Sequence, residues 1–219
     1  MFSEQFFDLL LDFGDDWKVN QVSVNSLTEE VDVTIEFISK VAEDPDTLEG
    51  CPIYDHAPIR RWRHLDTMQY KTFINSRVPR VKGSDGKIKT ISVPWSDKHE
   101  RHTYLFERLA IDVLKSTKNQ TKSSELLRCG FGVINRIIHN AVNRGILLRP
   151  DGYIPEHLSE DEKSLIKPHE YVTVLIEPIS GVVLDVSKGR DPESCQSLIM
   201  DAIKPEHRGK VKTVSMDMW

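Results

Sequence analysis

The sequence predicts an α+β chain built from several modules, and three observations carry this. Val31, Val33, Ile35 and Phe37 alternate with Asp32, Thr34 and Glu36, the period-two pattern of a strand with one buried face. Between Thr103 and Gly145 the apolar residues recur instead at the spacing of helix faces. From His157 onward the signals run β-β-β-α-β.

In chain order, residues 1–41 predict a helix and a hairpin. Phe2, Phe6, Phe7, Leu10 and Leu11 sit at helical spacing, and Val19, Val22 and Val24 supply the strand before Val31. Residues 42–100 predict a small basic module of short strands, with Ser84-Asp85-Gly86-Lys87 as a turn between the last two. Its apolar content is low, which suits a module that needs a metal staple. Residues 101–150 predict three helices. Leu105, Phe106, Leu109, Ala110, Val113 and Leu114 stripe the first, Thr121 is expected to cap a short second one, and Cys129-Gly130-Phe131-Gly132 is a turn. Val133, Ile134, Ile137, Ile138, Ala141 and Val142 stripe the third, with Gly145 expected just past its end. Residues 151–219 hold the β-β-β-α-β segment.

Hydrophobic content of 39% and charged content of 29% are ordinary for a globular chain, and no run approaches a membrane span. The acidic N-terminus lacks the basic start of a secretory signal. Cys51, Cys129 and Cys195 are odd in number and far apart, which argues against a disulfide framework and for a cytoplasmic protein. The net charge of −5 conceals a pattern: −11 over residues 1–50, +11 over 51–150 and −5 over 151–219. A cationic block between two acidic ones is the footprint of a polyanion contact.

The second and third helices of residues 101–150, joined by a glycine-containing turn, match a helix-turn-helix. With the apolar stripe of the last helix buried, Arg136, His139, Asn140 and Arg144 are expected to face outward, where Arg reads guanine and Asn reads adenine. The alternative is a helical hairpin with a polar outer face. Arg60, Arg61 and Arg63 flank Trp62 in a cluster suited to phosphates, or to a surface strand whose Trp is core. Zinc is not expected: Cys51 offers one thiolate where about four soft ligands are needed. Asp161 on the first strand of the last segment and Asp217 on its final strand would meet if those strands are neighbours, and paired carboxylates there suit Mg2+ or Mn2+ and phosphodiester chemistry.

Several motifs in one order resemble the DDE-type transposases of bacterial insertion sequences in the ISL-three family. They are His64-Leu65-Asp66-Thr67-Met68-Gln69-Tyr70-Lys71-Thr72, Arg77-Val78-Pro79-Arg80-Val81-Lys82, Val93-Pro94-Trp95 and Phe106-Glu107-Arg108. They continue with Asp161-Glu162-Lys163-Ser164, His169-Glu170-Tyr171-Val172-Thr173-Val174, Gly189-Arg190 and Val214-Ser215-Met216-Asp217-Met218-Trp219. The resemblance implies a zinc-ribbon-like module, a helix-turn-helix that holds the terminal inverted repeats of the element, and an RNase H-like domain. In the intact family three acids hold Mg2+ or Mn2+, and Asp161 and Asp217 match the first two. DNA is the implied partner, self-association is left open, and no membrane contact is implied.

The departures shape the expectation. Asp44-Pro45-Asp46 and Gly83 stand where cysteines are expected, so the ribbon is read as degenerate. Glu160 replaces an apolar residue, Leu165 an aromatic, and Pro168 a glycine. The third acid would lie past Trp219, so the RNase H-like domain is read as partial and this copy as a C-terminally truncated, inactive transposase. The alternatives are a non-catalytic protein that competes for the transposon ends, or a remnant without function.

Overall fold

Trp17, Trp62 and Trp95 meet edge to face, with ring centroids 4.8 and 5.5 Å from Trp95, and Phe13 and Phe37 close the group. Around this aromatic knot the first part of the chain folds. The structure is a computed structural model that describes residues 2–147, 154–166 and 170–216. It contains two compact units, Met1–Arg144 and Gly145–Trp219, and its overall class is α+β.

In the first unit, α1 (Phe2–Leu11) leads into the antiparallel pair β1 (Trp17–Asn25) and β2 (Glu30–Phe37), as the alternation predicts. This hairpin does not stand alone. β2 pairs in parallel with β6 (Lys71–Ser76), which pairs antiparallel with β5 (Arg60–Arg63), giving the order β1-β2-β6-β5. The sheet therefore joins strands on both sides of residue 41. A second sheet, β3-β4-β7-β8, is antiparallel throughout and comprises Val41–Glu43, Gly50–His56, Pro79–Lys82 and Ile88–Thr90. Both sheets feed one core of Val31, Val33, Ile35, Trp62, Ile74, Val78, Val81 and the tryptophans. Large apolar groups so buried contribute roughly 1.5–3 kcal/mol each, so this module has an apolar core that its composition did not suggest.

Three helices follow: α2 (Tyr104–Thr117), α3 (Gln120–Leu126) and α4 (Phe131–Leu147). Thr103 caps α2 by accepting the Phe106 amide. Lys118 ends α2 in the left-handed region at φ 51°, which leaves Asn119 extended. Asn119, not Thr121, then caps α3 by accepting the Lys122 amide at 2.9 Å. The turn into α4 places Arg128, rather than either glycine, at positive φ. Gly145 lies inside α4 and does not stop it; one helical glycine costs only about 1 kcal/mol. Phe106, Ala110, Leu127, Ile134 and Ile137 form the core of this helical part.

The second unit has the predicted order: β9 (His157–Ile166), β10 (Glu170–Glu177), β11 (Val182–Lys188), α5 (Pro192–Ala202) and β12 (Thr213–Met216). Asp191 caps α5 by accepting the Ser194 amide, with Pro192 in the first turn. The sheet order is β11-β10-β9-β12, with β12 parallel to β9 and the other pairs antiparallel. Leu158, Leu175 and Leu184 pack against Leu198 and Ile203. Lys167 and Pro168 lie outside the described residues.

Candidate functional site

β9 carries acids on both faces. Side chains alternate along a strand, so Leu158, Glu160 and Glu162 face α5 while Asp161 faces the other way and is exposed. Asp161 lies opposite Val174 of β10. On its other flank β9 meets β12 from Thr213, opposite His157, to Met216, opposite Glu160. The two strands expected to bring the acids together are therefore neighbours. Asp217 itself lies outside the described residues. Among the described residues no three His, Cys, Asp or Glu side chains are grouped to hold a metal ion.

The α5 side of β9 holds an unexpected feature. Glu160 is buried at 7% exposure, and its Oε2 has no hydrogen-bond partner among the described residues. Glu160 and Glu162 line a cavity of about 410 Å3 with Cys195, Ile199 and Met216. Burial, and then a hydrogen bond to Glu160, push the Cys195 thiol up to about 11, so this cysteine is an inert thiol.

The polar side of α4 is occupied by acids of its own unit. Asn140 donates to Glu100 Oε1 at 2.8 Å, and Arg136 Nη1 lies 3.9 Å from Glu100 Oε2. Arg144 pairs with Glu107 and lies 3.8 Å from Asp97. Glu100 and Glu107 are both buried and bracket His102, at 3.4 and 3.2 Å from its two ring nitrogens. Burial of the His102 ring lowers its pKa, the nearby acids Glu100 and Asp97 opposing. His139 is exposed. The sequence reading missed this Glu100–His102–Glu107 network; the only local signal was a histidine between two acids at the start of a helix.

The arginines of β5 have separate roles. Arg60 donates to the carbonyls of Lys98 (2.9 Å) and Glu100 (3.2 Å), and its guanidinium lies over Trp62. Arg61 pairs with Glu30 and Asp32 and lies over Phe73. Arg63 is buried, donates to the His64 carbonyl at 2.6 Å, and pairs with Asp66. Trp62 is fully buried.

Residues 158–219 match the family model described as Transposase, that of the DDE-type ISL-three group. The chain is also 28% identical over 172 residues to the transposase for insertion sequence element IS1557 of Mycobacterium tuberculosis, covering 75% of this chain and 37% of that protein. It is 25% identical over 171 residues to the transposase for insertion sequence element IS1001 of Bordetella parapertussis, covering 77% and 41%. No solved structure matches. These findings make the chain similar to transposases. Within that class, residues 158–219 are similar to the ISL-three group. It spans about 40% of the length of the curated relatives it matches. An alignment of 172 residues exceeds the whole second unit, so the likeness extends into the first.

Proposed function

We propose that this chain is the DNA-handling part of an insertion-sequence transposase. In this reading α3 and α4 form a helix-turn-helix for terminal inverted repeats. The β3–β8 region is a degenerate ribbon, and the second unit belongs to an RNase H-like catalytic fold. The observation that carries the proposal is the strand order β11-β10-β9-β12, which lays β12 parallel beside the strand that holds Asp161. The family match over residues 158–219 supports it. Asp161 and Asp217 would hold the metal, since carboxylate oxygens suit Mg2+ and Mn2+. When bound, such ions activate water and stabilise the leaving oxygen of a phosphodiester. The exposed Asp161 supplies an anionic ligand on an inner strand, one residue past the Met216–Glu160 pair that ends the contact with β12.

The test is Mn2+ titration of the full chain, followed by electron paramagnetic resonance. Asp161→Asn and Asp217→Asn should each weaken binding about tenfold or more, as loss of a ligand does. Mn2+ binding that neither substitution changes would refute the catalytic assignment.

A second reading, of a DNA-binding protein without catalysis, is favoured by the buried and incompletely bonded Glu160 on the strand that carries Asp161. It predicts duplex binding that weakens steeply with salt and survives Asp161→Ala with Asp217→Ala, in a chain that takes up no Mn2+.

A further inference from the structure

The resemblance implies a zinc ribbon in the β3–β8 region, and the side chains there do not fit zinc. The turn after β3 and the turn between β7 and β8 converge on one point. Asp44, fully buried, accepts the Asp46 amide at 2.9 Å and the Thr47 amide at 3.4 Å. Lys89 Nζ lies 3.0 Å from both carboxylate oxygens of Asp44, 2.9 Å from Asp46 and 3.5 Å from Asp85. The backbone of Gly83 approaches the same point from the second turn. A Cβ at Gly83 would sit 2.2 Å from Asp44 Oδ2 and 3.4 Å from Lys89 Nζ. Residues 44 and 83 thus face each other as two ligands of one ion would, with an ammonium between them.

We propose that the Lys89 ammonium, gripped by Asp44, Asp46 and Asp85, replaces the zinc ion as the electrostatic staple of this module. Three features of the donor set argue for this. Structural zinc takes thiolate and imidazole, whereas every donor here is a carboxylate oxygen. The one cysteine of the region, Cys51, is buried in the apolar core and lies opposite Ala42 in the strand pair. A fixed cation at the centre repels a second one, and a side chain at Gly83 would displace the Asp44 carboxylate. The compensation is mutual: glycine at 83 opens the space, aspartate at 44 fills it, and lysine at 89 brings the charge. The cluster ties residues that lie 45 apart in sequence, which is the service a ribbon metal performs. It would also free the fold from zinc supply and from thiol oxidation.

The experiment uses the full chain, purified without chelator. Elemental analysis should find less than about one tenth of a zinc per chain, and a strong chelator should leave the melting temperature unchanged, because metal that is not bound cannot shift stability. With Asp161→Asn and Asp217→Asn in place, so that the proposed carboxylate site does not respond, added Zn2+ should not raise it either. Lys89→Met should lower the midpoint by several degrees. Should that variant fail to fold, Asp44→Asn with Lys89→Met removes both charges at once. Measured as a cycle with Lys89→Gln in place of Lys89→Met, in both the single and the double, the double should melt above the sum expected from Asp44→Asn and Lys89→Gln measured singly, the mark of a coupled pair. Stoichiometric zinc whose removal lowers the melting temperature would overturn the proposal, as would a Lys89→Met chain as stable as the parent.

Discussion

Replacing Glu160 with leucine is expected to stabilise the second unit. Glu160 is 7% exposed on the α5 face of β9, and its Oε2 has no partner among the described residues. Leaving a buried acceptor unsatisfied costs about 1–3 kcal/mol, and removing the group recovers that. Burying a leucine side chain contributes roughly 1.5–3 kcal/mol. Loss of the Cys195 thiol bond to the carboxyl takes back about 1–2 kcal/mol. The adjoining cavity of about 410 Å3 accepts the branched side chain without overpacking. The net is about 2 kcal/mol. For a unit of the size Gly145–Trp219, that corresponds to a rise in melting temperature of about 10 °C. Calorimetry of the full chain measures it, and hydrogen exchange at the Leu158 and Leu175 amides assigns the transition to this unit. Glu160→Gln, which leaves a polar group buried, should change little. A leucine variant that melts at or below the parent would refute the reasoning, since the carboxyl would then be satisfied by something the contacts do not account for.

Arg63→Leu should cost about 3–5 kcal/mol in urea unfolding, because it removes the Arg63 donor to the His64 carbonyl and leaves Asp66 to Arg128 alone. The Asp44 carboxyl is held below its usual 3.8, chiefly by the Asp46 amide and against desolvation, with Lys89 assisting. Its stabilising contribution is therefore complete above about pH 4 and lost as pH falls through the lower folded value. Lys89, beside Asp46 and Asp44, is raised above its usual 10.5. Its contribution is complete below that pH and lost as pH rises through the folded value. The stability gap between parent and Lys89→Met should thus be a plateau across neutral pH that closes in acid, as urea midpoints against pH will report. Glu100→Gln with Glu107→Gln should release Arg136 and Arg144 and tighten binding to duplex DNA severalfold at low salt. An unchanged mobility shift would remove those arginines from the interface.

Local periodicity carried most of the elements. The strand at Val31–Phe37, the stripes of α2 and α4 and the β-β-β-α-β order all rest on patterns within one element, and each has its counterpart in the fold. What escaped depends on partners distant in sequence. The parallel pairing of β2 with β6 sets Val33 beside Ile74, and no local pattern encodes that register. The same pairing gives the basic module its apolar core, which composition alone made look deficient. The cap of α3 was misplaced because Thr121 and Asn119 are both able residues. The left-handed Lys118 decides between them, and its conformation has no sequence signal of its own. For the candidate site, the strand that carries Asp161 and its place beside β12 were legible, whereas the burial of Glu160 follows from where α5 packs.

The charge pattern changes meaning once the chain is folded. The surplus of +11 across residues 51–150 suggested a surface offered to a polyanion. Much of it is engaged within the first unit: Arg61 with Glu30 and Asp32, Arg80 with Asp55, Lys89 with three aspartates, Arg128 with Asp66, and Arg144 with Glu107. Several of these acids come from the strongly acidic first fifty residues, so two opposite blocks of sequence neutralise each other in space. The cations left exposed without an ion pair among the described residues include Arg108 and Lys115 on α2 and Lys122 on α3. Arg136 and Arg144 are also part-exposed, each held beside carboxylates of the first unit. Net charge by segment therefore overstates the unpaired cationic surface of the first unit, part of which lies on α2 and α3.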